Sequence, residues 1–171
     1  MASFGHAPLI LASASPRRRD LLAQIGIVPA RIAPTDIDET RRKDESPRAL
    51  AERLAREKAA ACGADGFVLA ADTVVALGTR NLEKAEDAAE AEAFLRLLSG
   101  RSHQCITGIA VKAPDGRLQS RTVLARVRMK RLTDQEIAAY VASGEWQGKA
   151  GGYGIQGMAG AFITHINGSY T

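Results

Sequence analysis

"LILASASPRRRDLLAQIG", residues 9–26, sets an apolar run, a short serine-lined loop and an arginine-rich helix in immediate succession. The apolar run has the composition of a short buried strand; Ser15, Pro16 and Gly26 then mark the N-cap, first position and stop of a helix. Strand, tight loop and helix is the opening step of an α/β fold. Arg17, Arg18 and Arg19 crowd the first helical turn, where the aligned peptide dipoles already concentrate positive charge. Each such cation costs about 0.3–1 kcal/mol at an exposed site, so the stretch invites a compensating anion. Backbone N–H groups at the helix start, with Ser13, Ser15, Arg17 and Arg18, read as a phosphate cradle. A solvated basic turn is the alternative.

Outward from that step, Ser46 and Pro47 start a second helix that Gly63 stops, with Leu50, Leu54 and Lys58 on one stripe. "FVLAADTVVAL", residues 67–77, is dense in β-branched and apolar residues and reads as a buried strand with an aspartate at its centre. An alanine- and glutamate-rich helix follows, closing on Gly100. Residues 103–113 and 117–130, separated by the turn "PDG", form an antiparallel hairpin, and Thr133 with Glu136 makes a capping box on the next helix. A glycine-rich loop then leads into a last apolar strand. Neither repeat nor linker divides the 171 residues, so a single domain over 1–171 is expected, an α/β sandwich around a mixed sheet.

Composition narrows the function. The chain is 46% hydrophobic and 25% charged with a net charge of +4, and its cations are interleaved with acids. Aromatics make up only 5%, too few for the stacking rings of a dedicated single-strand-binding surface, so no stable nucleic-acid partner is expected. No basic leader or membrane-length apolar run is found, and a cytoplasmic protein is expected by default. Cys62 and Cys105 lie far apart without a CxxC partner and read as small buried hydrophobes. A small anionic ligand fits this balance best.

Asp72 is the most informative acid, because an ionised carboxylate inside an apolar strand loses several kcal/mol of hydration unless paired or bound to a cation. Asp36, Asp38 and Glu39, in "TDIDET", offer further oxygen ligands; two carboxylates from separate loops suit Mg²⁺ or Mn²⁺. Lys58 either snorkels past the core or aims into a site, and Lys84 reads as a surface lysine. "GYGIQG" matches GxGxxG but joins no strand to a helix, and "GEWQGKA" has alanine where a P-loop needs Ser or Thr. His6, His103 and His165 form no metal-spaced pair.

Taken in series, "LASASPRRRDLL", "DIDET", "LAREKA", "AADTVV", "LSGRSHQCITGIAV" and "GKAGGYGIQGMAGAFI" resemble the Maf family of nucleoside triphosphate pyrophosphatases across nearly the whole chain. The resemblance implies a mixed-sheet fold like that of inosine triphosphate pyrophosphatases, with a central cleft, and often a homodimer. It implies hydrolysis of a nucleoside triphosphate to the monophosphate and pyrophosphate, using a divalent metal cation (Mg²⁺, Mn²⁺ or Co²⁺) and water. Asp72 would then be the proton acceptor and a metal ligand with Glu39, while Ser13, Arg18, Lys58 and Lys84 hold the triphosphate. Arg17, Thr73 and Gln156 match the branch that hydrolyses dTTP and UTP, and the branch favouring 7-methyl-GTP comes second. A nucleotide-binding regulator of septum formation is the reading from another class. Two departures stand out: Glu83-Lys84-Ala85 replaces the usual Gly-Lys-Pro, and the chain stops at "NGSYT" before the family's customary tail.

Overall fold

The computed structural model describes residues 7–171, so His6 lies outside the described residues. Among the described residues four helices and seven strands follow in the order β1 (Leu9–Leu11), α1 (Pro16–Gln24), β2 (Arg31–Ile32), α2 (Pro47–Ala61), β3 (Phe67–Leu77), β4 (Arg80–Leu82), α3 (Ala88–Leu98), β5 (Ser102–Lys112), β6 (Leu118–Met129), α4 (Asp134–Ala142) and β7 (Ile163–Asn167). A 3₁₀ turn, Met158–Phe162, precedes β7. The strands form one sheet in the order β2-β1-β3-β5-β6-β7, with β4 paired to β3. β1 runs parallel to both β2 and β3, whereas β3–β4 and β6–β7 are antiparallel. This is the mixed sheet expected of the sequence. Two strands escaped the sequence reading, β2 and β4, which are only two and three residues long and carry no alternation to read.

The chain groups into two compact units, one comprising Met1–Asp72, Thr107–Val123 and Thr171, the other Thr73–Ile106 and Leu124–Tyr170. In the first, β1 is buried along its whole length, as a strand flanked by parallel neighbours must be. Its core joins Ile10, Val68, Ala70 and Ala110 of the strands, and Ala12 just past β1, to Ala55, Ala59 and Cys62 at α2. Small residues let the helix lie close to the sheet. Closest of all is Gly108 on β5, where an added Cβ would overlap the Ala51 carbonyl of α2. Gly108→Ala is therefore expected to lower stability by about 1–3 kcal/mol, the usual range for overpacking, read as a drop in urea midpoint at unchanged slope.

Helix ends follow local chemistry. Ser46 Oγ accepts from Ala49 N at 3.2 Å, capping α2 behind Pro47 as the sequence implies. α1 stops in a Schellman turn, with Gly26 at φ +73°, its N–H on Ala23 and the Ile27 N–H on Leu22. Ser15 does occupy the N-cap of α1, but its side chain makes no capping bond; its own N–H donates instead to Ser13 Oγ at 3.2 Å.

The second unit has the larger side chains. Phe94, Leu95 and Leu98 of α3 pack with Ile137 and Tyr140 of α4, Met129, Trp146, Tyr153 and Phe162, and the Tyr140 and Phe162 rings meet edge to face. The capping box of Thr133 and Glu136 is present at α4. His103, 2% exposed, sets Nε2 2.5 Å from Tyr153 Oη, while Nδ1 has no hydrogen-bond partner among the described residues. Tyr153 Oη also lies 3.5 Å from Cys105 Sγ, and burial pushes both the phenol and the thiol up. Burial holds His103 down at about 4, from an ordinary 6.5. Between those values the unfolded chain binds a proton that the folded chain refuses, so stability present above pH 6.5 drains away as the pH falls toward 4. The expected loss is about 3 kcal/mol. Urea unfolding across this range should show the slope, and His103→Gln should flatten it.

Candidate active site

Five of the sequence-derived site residues meet in the first unit. Lys58, on the apolar stripe of α2, does not snorkel: it is 8% exposed, and its ammonium lies 2.6 Å from Asp72 Oδ1 and 2.7 Å from Glu39 Oε1. Asp72, at the centre of β3, is equally buried, so its charge is sustained by that ammonium rather than by water. Glu39 arrives from the loop between β2 and α2 and keeps a side-chain exposure of 42%, which makes it the solvent-facing member. Thr35 Oγ1, from the same loop, donates to the Lys58 carbonyl at 3.4 Å.

The strand-to-helix loop adds the cations. Ser13 is buried, and its hydroxyl accepts from Arg18 Nη1 at 2.8 Å, turning the guanidinium back over the loop. Burial lowers Arg18 from arginine's ordinary value; Asp72 and then Glu39 oppose that shift, and Arg17 reinforces it. Arg18 thus shares an electrostatic environment with both carboxylates. Arg17 and Ser15 are half-buried beside it, and Arg19 is exposed with its guanidinium 3.7 Å from Asp20.

Charge arithmetic decides what this cluster can receive. Lys58 and Arg18 balance Asp72 and Glu39, so a polyphosphate would bring negative charge that Arg17 and a further cation must meet. Asp72 and Glu39 already converge on one cationic centre, the Lys58 nitrogen, and both offer only oxygen. No group of three or more His, Cys, Asp or Glu able to hold a metal occurs among the described residues. Two carboxylates with substrate oxygens and water are the oxygen donors that suit Mg²⁺ or Mn²⁺, and the same donor set also admits Co²⁺.

Thr73, Lys84 and Gln156 belong to the second unit. Thr73 follows Asp72 on β3 and is half-buried. Lys84 is exposed and forms an antiparallel bridge with Ala150, while the Gly151 N–H donates to the Leu82 and Glu83 carbonyls. Ala85, standing where the family has proline, is buried in that unit's core. Gln156 is exposed on the glycine-rich loop, flanked by a bond from Gly154 N to Tyr140 Oη at 3.2 Å and one from Met158 N to Glu145 Oε2 at 2.9 Å.

In the first unit of this α/β fold, a serine-lined loop with a half-buried arginine shares its electrostatic surroundings with an ammonium held by two carboxylates. The chain belongs to the Maf-like protein family, which matches residues 8–171. It is 80% identical to a dTTP/UTP pyrophosphatase of Hyphomonas neptunium, over 98% of this chain and 88% of the relative. It is 60% identical to a dTTP/UTP pyrophosphatase of Caulobacter vibrioides, over 95% and 86%. Among solved structures, a HAM1 protein from Coxiella burnetii is similar at a TM-score of 0.48 and 19% identity, over 72% of this chain and 73% of that one. No helix among the described residues is long and apolar enough to cross a membrane.

Proposed function

We propose that this chain is a single catalytic domain that hydrolyses dTTP and UTP to the nucleoside monophosphate and pyrophosphate. The observation that carries the reading is the buried Lys58 ammonium between Asp72 and Glu39, with Arg18 in the same electrostatic environment. The names of relatives at 80% and 60% identity support the choice of pyrimidine triphosphates.

In this reading Asp72 orients the attacking water and takes its proton, while Lys58, Arg17 and Arg18 stabilise charge that grows on the phosphates and the leaving pyrophosphate. Ser13 and Ser15 supply hydroxyls to the same phosphates. Asp72 and Glu39 would hold a divalent cation, which supplies Lewis-acid polarisation of the phosphoryl oxygens when bound. The same reading assigns Lys84 to the phosphates and Thr73 and Gln156 to substrate choice, the Gln156 amide offering both a donor and an acceptor to a pyrimidine edge.

Steady-state kinetics on a panel of canonical triphosphates and 7-methyl-GTP, with Mg²⁺ or Mn²⁺, tests this. The highest kcat/KM is expected for dTTP and UTP, and a preference for 7-methyl-GTP would move the chain to the other branch. Removal of divalent cation by chelation is expected to abolish turnover, and adding back Mg²⁺ or Mn²⁺ to restore it.

A further inference from the structure

The loop that delivers Glu39 is held by a side chain outside the cluster. Arg53 of α2, with its side chain 13% exposed, donates from Nε to Glu45 Oε1 at 2.6 Å and from Nη2 to Glu45 Oε2 at 2.9 Å. Nη1 donates to Glu57 Oε2 at 2.9 Å, and Nη2 reaches the Thr40 carbonyl at 3.0 Å. That carbonyl belongs to the residue immediately after Glu39, whose carboxylate meets Lys58. Glu45 is 8% exposed at its side chain and also accepts from the Arg42 N–H at 3.1 Å, while Arg41 Nε donates to the Glu45 carbonyl at 2.8 Å. The segment from Thr40 to Glu45 is thus folded back around a single guanidinium.

Exposed ion pairs contribute little, but this one is bidentate, shielded and shared with a backbone carbonyl. Hydrogen bonding by Arg53 holds Glu45 down at about 2, so the pair stays ionised at any pH near neutrality. Arg53 and Lys58 rise from the same helix, so α2 carries both the grip on the loop and the ammonium that the loop's carboxylate must reach.

We propose that Arg53 is a positioning residue: by gripping Glu45 and the Thr40 carbonyl it holds Glu39 against Lys58 and Asp72 before substrate arrives. The kinetic consequence rests on the pyrophosphatase reading above, whereas the placement of the loop does not.

Hydrogen exchange over residues 36–45 and kcat for dTTP, measured on wild type, Arg53→Met, Arg53→Lys, Glu39→Gln and the Arg53→Met/Glu39→Gln double variant, test it. Arg53→Met is expected to speed exchange in that segment and lower kcat by about 10- to 100-fold, as loss of a supporting shell typically does. The double variant should be no slower than Glu39→Gln alone, because both changes remove the same contribution. Arg53→Lys keeps the charge without the planar fork, so its exchange should also rise; it serves the same comparison if Arg53→Met does not fold. Wild-type exchange in the Arg53 variants, faster exchange with unchanged kcat, or a double variant slower by the full Arg53→Met factor would each overturn the proposal. Should the wild type hydrolyse no triphosphate, the pyrophosphatase reading fails by itself and exchange alone decides the role of Arg53.

Discussion

Asp72→Asn is expected to lower kcat for dTTP by about 10²–10⁴-fold, the range associated with loss of a positioned general base. Asparagine has nearly the same shape, and its amide oxygen can still accept from the Lys58 ammonium that lies 2.6 Å from Asp72 Oδ1. What disappears is the negative charge and the ability to take a proton. Lys58 keeps Glu39 at 2.7 Å, so the buried ammonium retains an anionic partner and the protein should remain folded. Kinetics and thermal melting on the same preparation separate the two effects. A variant within threefold of wild type would remove Asp72 from the chemistry.

Lys58→Ala should be the more damaging change, because it acts on stability as well as turnover. Without the ammonium, Asp72 is a carboxylate only 8% exposed that faces Glu39 across an emptied space. Removing one partner of a buried pair costs about 3–5 kcal/mol, with Arg18 offsetting part of it here. At about 2–4 °C per kcal/mol, a fall of about 10 °C in Tm follows. Turnover should fall by about 10²–10³-fold, as for loss of one donor to developing charge. Unchanged Tm with unchanged kcat would show that Lys58 merely lines the core.

Asp72 and Lys58 differ in how plainly the sequence discloses their surroundings. Strand β3 was legible to its ends, because ten of its eleven residues are apolar or β-branched, and the aspartate that is the eleventh announced itself by cost. α2 was legible from Ser46, Pro47 and its stripe, which also carried Lys58 to the core. Whether that lysine snorkelled or turned inward was not, since both fates share the spacing i, i+4, i+8. Glu39 sat in an acidic loop whose composition reads as solvated, and its approach to Lys58 depends on tertiary contacts. Arg53 left one visible trace, its i, i+4 spacing to Glu57, but the bidentate bond to Glu45 joins residues eight apart across a loop. The His103–Tyr153 pair, fifty residues apart, had no local signature either.

Product analysis tests the central claim most directly. Purified protein, dTTP and Mg²⁺, followed by ³¹P NMR, should show dTMP and pyrophosphate appearing together in equal amounts. The appearance of dTDP with orthophosphate, or persistence of dTTP under conditions where the protein is folded, would contradict the account.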